Sequence, residues 1–153
     1  MTDLTELDRT ILRLMQENAR TRLDEITAQV GASVATVQRR IRHLRSAGVI
    51  SGEVAVVDPE TTGFAMTFLI LVELERESIH QLDSFRRKAK AEDQIQQCYY
   101  ITGDADFALV ALARNMKDYE ALTQRLFFED SNVKKFRTNV VMDRTKVGMT
   151  VPV

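Results

Sequence analysis

The chain has 153 residues, of which 44% are hydrophobic and 28% are charged, and its formal net charge is −1. This composition is typical of one globular domain or two small ones, and no apolar run approaches the roughly 20 residues of a membrane-spanning helix. A single cysteine, Cys98, excludes an internal disulfide, and two histidines are too few to complete a zinc site. The first residues lack a signal-peptide pattern, so we expect a cytoplasmic protein.

The positive charge is concentrated in one place. Residues 1–52 hold eight Arg against six Asp or Glu, a net of +2, and residues 53–153 hold thirteen Lys or Arg against sixteen Asp or Glu, a net of −3. Four of the eight arginines fall within residues 39–45. A local basic patch on a nearly neutral chain indicates a defined anionic partner.

The sequence predicts two short helices before this basic segment. Thr5 and Asp8 form a capping-box pattern at the start of a helix over about residues 6–17. The pattern repeats with Thr21 as the expected cap of a helix over about residues 22–30. Apolar residues recur at helical spacing in both segments.

A third helix, over residues 34–46, follows a three-residue turn. Gly31 can adopt the left-handed conformation that ends a helix, and Ser33 can cap the next one. Two short helices joined by such a turn are typical of a helix-turn-helix. Residues 53–63 then read as an extended arm, either a wing strand or a linker.

The third helix has one apolar side and one basic side. At about 100° per residue, Val37 and Ile41 share the apolar side, and Arg39 and His43 lie opposite. A solvated amphipathic helix is the simpler alternative, but no acid lies nearby in the sequence to pair with the arginines. The pattern therefore predicts a recognition helix for the major groove of double-stranded DNA, with the arginines facing away from the core. The expected DNA-binding residues are Ser33, Thr36, Gln38, Arg39, Arg40, Arg42 and His43.

From residue 65 onward the pattern changes to alternating strands and helices. The predicted order is βαββαβ, which is the ferredoxin-like arrangement, and the overall class is α+β. The predicted segments are a strand over 65–75, a helix over 78–92, a strand over 95–101, a tight turn over 102–106, a strand over 107–113, a helix over 116–129 and a strand over 133–143.

The central strands are apolar on both faces, although the two helices of such a unit cover only one. Leu69 and Leu71 alternate with Phe68 and Ile70 in the first strand. A second copy of the sheet, related by a two-fold axis, is the simplest cover, and the N-terminal domain is the alternative. A dimer would also supply two recognition helices for two half-sites.

The turn "TGDAD" is a candidate for more than chain reversal. Asp104 or Asp106 could hold an ammonium group while backbone N–H groups hold a carboxylate. Paired carboxylates also suggest a metal or an acid–base pair, but the calcium-loop pattern is absent and no metal is expected.

The sequence has no nucleophile–base pair or phosphate-binding loop, so we expect neither an enzyme nor catalytic residues. Cys98 is expected to be a small buried hydrophobe.

The whole chain resembles the Lrp/AsnC, or feast/famine, family of transcription regulators. The resemblance rests, in order, on "LDRTILRLMQENAR", "VATVQRRIRHLRSAGVI", "VVDPETTGF", "TGDADFAL" and "VVMDRTKVGMTVPV". It implies an N-terminal winged helix-turn-helix domain over residues 1–52, an arm over 53–63, and a ferredoxin-like effector-binding and oligomerisation domain of the RAM or ACT type over 64–153. It also implies a bacterial or archaeal, nucleoid-associated homodimer that assembles into tetramers or octamers.

Members of this family commonly bind an amino acid between C-terminal domains, and no other cofactor is expected. Asn139 stands where relatives often have an aromatic or small hydroxyl residue. An architectural DNA-binding protein without an effector is the alternative function. The effector positions that the resemblance implies are Gly103, Asp104, Asp106, Met116, Asn139, Val140 and Val141.

Overall fold

A computed structural model describes residues 3–153 of the chain, which form two compact units. One unit contains the chain up to residue 56 together with residues 146–153, and the other contains residues 57–145. Residues 146–153 cluster with the N-terminal helices, whereas the resemblance implies that they belong to the C-terminal domain. The chain therefore passes between the two units twice.

The first unit is built from three helices, as predicted: α1 (Glu6–Glu17), α2 (Leu23–Val30) and α3 (Val34–Ser46). Each helix contributes an apolar stripe to one small core, so the packing fixes which side of each helix faces outward. The fully or nearly fully buried apolar residues of this core are Ile11, Leu12, Ile26, Val37, Ile41 and Leu44.

The helix ends follow local capping chemistry, with one correction. The Thr5–Asp8 capping box is present at α1, and Gly31 ends α2 with a φ of 65°. The prediction that Thr21 caps α2 is wrong, because its hydroxyl donates to the Asn18 carbonyl oxygen at 2.7 Å. Arg22 takes the cap position, and its side chain accepts no capping hydrogen bond from the helix.

The segment after α3 forms no strand within the described chain between α3 and residue 66, and backbone hydrogen bonds close a turn over residues 59–64. The side chains of Val54 and Val56 are 84% and 97% exposed. Of the two predicted alternatives, a wing strand and a linker, the structure shows the linker.

The C-terminal segment is held against α1. The side-chain amide of Gln16 donates to the Val151 carbonyl oxygen at 3.1 Å and accepts from the Val151 N–H at 2.7 Å. Val153 packs against the apolar core of the three helices. The Gln16 side-chain amide thus bonds both the N–H and the carbonyl group of Val151, as the backbone of a neighbouring strand would. These contacts explain why residues 146–153 belong to the first unit.

The second unit has the predicted βαββαβ order. Its strands form one antiparallel sheet in the order β2-β3-β1-β4, with β1 and β3 in the centre. The last helix continues through residues 124–128 as a π-helical turn. The elements are β1 (Met66–Leu74), α4 (Ile79–Ala91), β2 (Ile95–Tyr100), β3 (Phe107–Ala113), α5 (Met116–Thr123) and β4 (Val133–Val140).

Both helices of the second unit pack on one face of the sheet. Phe68 stacks on Tyr119 of α5 with ring centroids 3.9 Å apart, and Phe107 meets Phe85 of α4 at 4.7 Å. The opposite face carries no covering element within residues 57–145, and Leu69 is 48% exposed there. The apolar stripe of this open face consists of Leu69, Leu71, Ala108, Val110 and Leu112.

The prediction for Cys98 is wrong. Its side chain is exposed because β2 is an edge strand, and an edge strand has a neighbour on one side only.

Candidate functional site

The outer side of α3 presents a continuous exposed stripe, which is polar except at Ala35. Its exposed positions recur at the i, i+3, i+4 and i+7 spacing of one helix face, whereas Val37, Ile41 and Leu44 are buried on the opposite side. Two arginines and a histidine stand on the stripe without an acidic neighbour on the helix. The stripe consists of Ala35, Gln38, Arg39, Arg42, His43 and Ser46.

Ser33 and Thr36 lie at the N-terminus of α3 and are bonded to each other. The Ser33 hydroxyl accepts from the Thr36 N–H at 3.3 Å and lies 3.0 Å from the Thr36 hydroxyl. Ser33 is exposed and Thr36 half-buried. Both therefore reach the surface, and Ser33 also caps α3 by accepting from one of its free N–H groups.

Arg40 does not face away from the protein, so the prediction of four outward arginines is wrong. Its guanidinium spans to α1, where Nε donates to Asp8 Oδ1 at 2.7 Å and Nη2 donates to Asp8 Oδ2. The Asp8 side chain is fully buried and that of Arg40 is 27% exposed. Arg40 thus forms a bidentate ion pair inside the helical unit.

The environment keeps this pair charged. The hydrogen bonds from Arg40, followed by those from Thr5, hold the pKa of the Asp8 carboxyl well below its usual range, although burial acts in the opposite direction. The same carboxylate raises the pKa of Arg40.

Arg45 also has an acidic partner from outside the helix. Its Nε donates to Glu53 Oε1 at 2.9 Å. Both side chains are partly exposed, so the pair contributes little to stability. Of the four clustered arginines, Arg39 and Arg42 are the two that the described structure leaves without an ion pair.

Sequence reasoning missed Asp8 and Glu53 because their partnership with α3 is not local. A signal for Asp8 was present. It precedes Ile11 and Leu12 by three and four positions, which places a carboxylate on the buried stripe of α1. A buried carboxylate needs a cation or several donors, so a partner could have been sought among the arginines.

The predicted turn between β2 and β3 is a longer loop. The Ile101 N–H donates to the Asp106 carbonyl oxygen at 2.9 Å, and Gly103 has a φ of 118° in between. This φ lies in a region that L side chains rarely adopt, so the position favours glycine. The N–H groups of residues 102–105 donate to no other group within the described chain.

Asp104 and Asp106 differ in what they do in this loop. Asp106 Oδ2 accepts from the Leu74 N–H at 2.6 Å, which ties the loop to the end of β1. The Asp104 side chain is exposed, and within residues 3–153 its carboxylate forms no hydrogen bond or ion pair. Asp106 thus holds the loop in place, and Asp104 is the carboxylate that is available to a ligand.

The other predicted effector residues are spread from the middle of the sheet to the end away from this loop. The Val141 N–H donates to the Thr67 carbonyl oxygen, and Asn139 pairs with Leu69 near the start of β1. Met116 begins α5, just beyond the Ala113 end of β3, and is 49% exposed, and Val140 is 48% exposed.

Measured along the strands, Asn139 lies level with Val110, three residues or about 10 Å from the loop end at Phe107, whereas Met116 lies beyond Ala113, six residues or about 20 Å from it. One subunit therefore does not bring the seven residues together around a single small ligand.

The described residues were also compared with the requirements of a metal site and of a membrane-spanning helix. Residues 3–153 contain no group of three or more His, Cys, Asp or Glu placed to hold a metal ion. No helix among the described residues is long and apolar enough to span a membrane.

Comparison with known proteins is consistent across the chain. Residues 4–51 match the winged helix-turn-helix DNA-binding family, and residues 67–151 match the Lrp/AsnC ligand binding domain. The chain is 39% identical, over 99% of its length and 89% of the relative's, to an uncharacterized HTH-type transcriptional regulator of Sinorhizobium fredii.

Solved structures share the fold over almost the whole chain. An AsnC family transcriptional regulator from Agrobacterium tumefaciens superposes with a TM-score of 0.92 at 25% identity, covering 97% of each chain. A Neisseria meningitidis transcriptional regulator in complex with L-methionine superposes with a TM-score of 0.92 at 23% identity, covering 98% of this chain and 97% of the other.

With both halves matched and the fold shared, this chain belongs to the Lrp/AsnC family of transcriptional regulators, with a DNA-binding helix-turn-helix and a ligand-binding domain.

Proposed function

We propose that this regulator binds double-stranded DNA as a homo-oligomer through the outer stripe of α3, and that an amino acid bound by residues 57–145 modulates DNA binding or assembly. The observation that carries the DNA part is the acid-free stripe with Arg39 and Arg42 on the face opposite the buried core. We also propose that the protein is cytoplasmic and nucleoid-associated and that it is not an enzyme.

The stripe suits the major groove in both shape and chemistry. An α-helix fits that groove, arginine bonds phosphates or the guanine edge, and glutamine can bond adenine. Arg39, Arg42 and His43 are exposed along two turns, with Gln38 beside them. Ser33 and Thr36 at the helix N-terminus can meet the DNA backbone.

We expect Arg39→Ala or Arg42→Ala to weaken DNA binding and to reduce its dependence on salt. A variant that makes fewer phosphate contacts releases fewer counterions from the DNA when it binds. The slope of log K against log salt should therefore fall by about one unit per lost contact in each subunit. The measurement is titration of a labelled duplex, selected from a random pool, at several salt concentrations.

Arg87→Ala is the matched control, because it removes the same charge from an exposed position on α4 in the other unit. Its slope should equal that of the wild type. Wild-type slopes in both α3 variants would contradict phosphate contact by the stripe.

The open face of the sheet supports a homodimer. The central stripe of Leu69, Leu71, Ala108, Val110 and Leu112 is apolar, and a second copy would bury it by a two-fold, self-complementary contact. Arg137 and Asn139 stand beside this stripe on β4 and give the face a polar border. An apolar centre with a polar rim is the usual anatomy of a protein–protein interface. We propose that such dimers assemble further into tetramers or octamers.

Leu71→Glu should disrupt this dimer, because two carboxylates would be buried against an apolar surface. The measurement is sedimentation equilibrium of the purified protein. Ile79→Glu, which replaces a 79% exposed apolar residue away from the face, should leave the assembly intact. A Leu71→Glu protein with the wild-type mass would exclude the open face as the interface.

The separation of the two groups of effector residues supports a ligand site between subunits. Gly103, Asp104 and Asp106 lie at one end of the sheet, Met116 lies at the other end, and Asn139 lies between them on β4. Two subunits placed end to end could bring the two groups together. Free N–H groups in the loop suit a carboxylate, and the Asp104 carboxylate suits an ammonium group, so an α-amino acid matches both.

A thermal melt against the twenty common L-amino acids tests this part of the proposal, starting with L-methionine, which the Neisseria meningitidis regulator binds. At least one should raise the melting temperature, because a ligand that binds only the folded state stabilises it by mass action. Asp104→Asn should reduce that rise, and Asp93→Asn, at another position of the same unit, should not. No rise with any amino acid would favour the alternative, an effector-independent architectural DNA-binding protein.

A further inference from the structure

Among the described residues of the three-helix unit, Asp8 is the buried charged side chain, and its cationic partner, Arg40, lies on α3. Its carboxylate is fully buried and accepts four hydrogen bonds. Oδ2 accepts from the Thr5 N–H at 2.9 Å and the Thr5 hydroxyl at 2.6 Å, and Arg40 donates to both oxygens. Two of the four hydrogen bonds therefore come from the cap of α1 itself, and two come from α3.

This arrangement constrains α3 in a way that apolar packing does not. Val37, Ile41 and Leu44 hold the helix against its neighbours, but apolar contacts have little directional preference. A planar guanidinium fork on a carboxylate tolerates little change in angle or distance. The fork joins the flank of α3 to the capped first turn of α1, and so it adds to the apolar packing a directional contact that limits the rotation of α3 about its own axis.

That rotation decides where the outer stripe points. A turn of about 20° displaces groups on the rim of a helix ~10 Å wide by about 2 Å. A hydrogen bond to a base edge or phosphate needs a heavy-atom distance within a few tenths of ~3 Å. Arg39 and Arg42 immediately flank Arg40 and Ile41 in sequence, so their reach depends directly on this angle.

We propose that Asp8 is a positioning residue for DNA recognition, that it acts through Arg40, and that Arg40 itself contacts no phosphate. Arg40 then belongs to the protein's internal structure, although it stands among the arginines of the recognition helix. The DNA-binding charge of α3 is carried by Arg39 and Arg42. This inference rests on the proposed DNA-binding function of α3.

The test compares Arg40→Gln with the double variant Asp8→Asn/Arg40→Gln. The single change leaves a buried carboxylate without its cation, which is severely unfavourable. The double change removes both charges and leaves two amides that can share a hydrogen bond in the same place, while the amide oxygen introduced at position 8 can still accept from Thr5. Duplex binding is measured against salt at a temperature where circular dichroism shows each variant to be folded.

The single variant should bind about tenfold more weakly, as expected when one good base contact is misaligned, with the wild-type salt slope. The double variant should return to within about threefold of wild type, again with an unchanged slope. The proposal is overturned if the double variant stays as weak as the single one and both slopes fall by about one unit per subunit, because Arg40 would then contact phosphate. It is also overturned if the unfolded fraction accounts for the whole loss in the single variant.

If Arg40→Gln does not fold, the double variant against wild type decides the question, because only a phosphate-contacting Arg40 predicts a lower slope there. Wild type and Arg42→Ala in the same assay test separately whether α3 binds DNA, which is the proposed function on which this inference rests. A salt-independent wild type would reject DNA binding by α3, whereas a normal Arg42→Ala effect with no rescue would reject only the role of Asp8.

Discussion

The burial of one side of α3 is the constraint on which the function of the chain depends. Val37, Ile41 and Leu44 can be removed from water only if the side carrying Arg39, Arg42 and His43 faces outward. The hydrophobic effect thus turns a basic amphipathic sequence into a charged ridge with a defined direction. The Asp8–Arg40 pair adds the angular precision that apolar contacts lack. In the proposed function, the same short helix therefore serves both stability and recognition.

A second constraint operates in the ferredoxin-like unit, where one sheet face is covered by helices and the other is apolar but open. An exposed apolar face is unfavourable for an isolated subunit and favours association. The separation of the predicted effector residues has the same consequence, because an α-amino acid is too small to bridge the two ends of one sheet. Assembly and ligand binding would then be linked, since a ligand held between subunits binds the assembled form preferentially.

Local patterns predicted the fold well because the chain uses local signals consistently. The Thr5–Asp8 box, the left-handed Gly31 and the Ser33 cap each marked a helix end, and alternation marked the central strands. Errors arose where a partner outside the local pattern decides the outcome. Thr21 bonds the Asn18 carbonyl instead of capping α2, Arg40 reaches Asp8, and Gln16 binds the tail at Val151. Helical periodicity gives the direction of a side chain from its own axis, but it does not give the position of the neighbouring helix. The DNA-binding and effector residues themselves remain predictions.

The most direct test of the central claim is methylation interference on a selected duplex, because methylation of guanine N7 blocks the major groove and methylation of adenine N3 blocks the minor groove. If α3 of each subunit lies in the major groove, methylated guanines should interfere in two patches about one helical turn, roughly 10 base pairs, or a multiple of it apart. Interference confined to adenine N3, or none at guanines within the protected site, would contradict recognition through the outer stripe of α3.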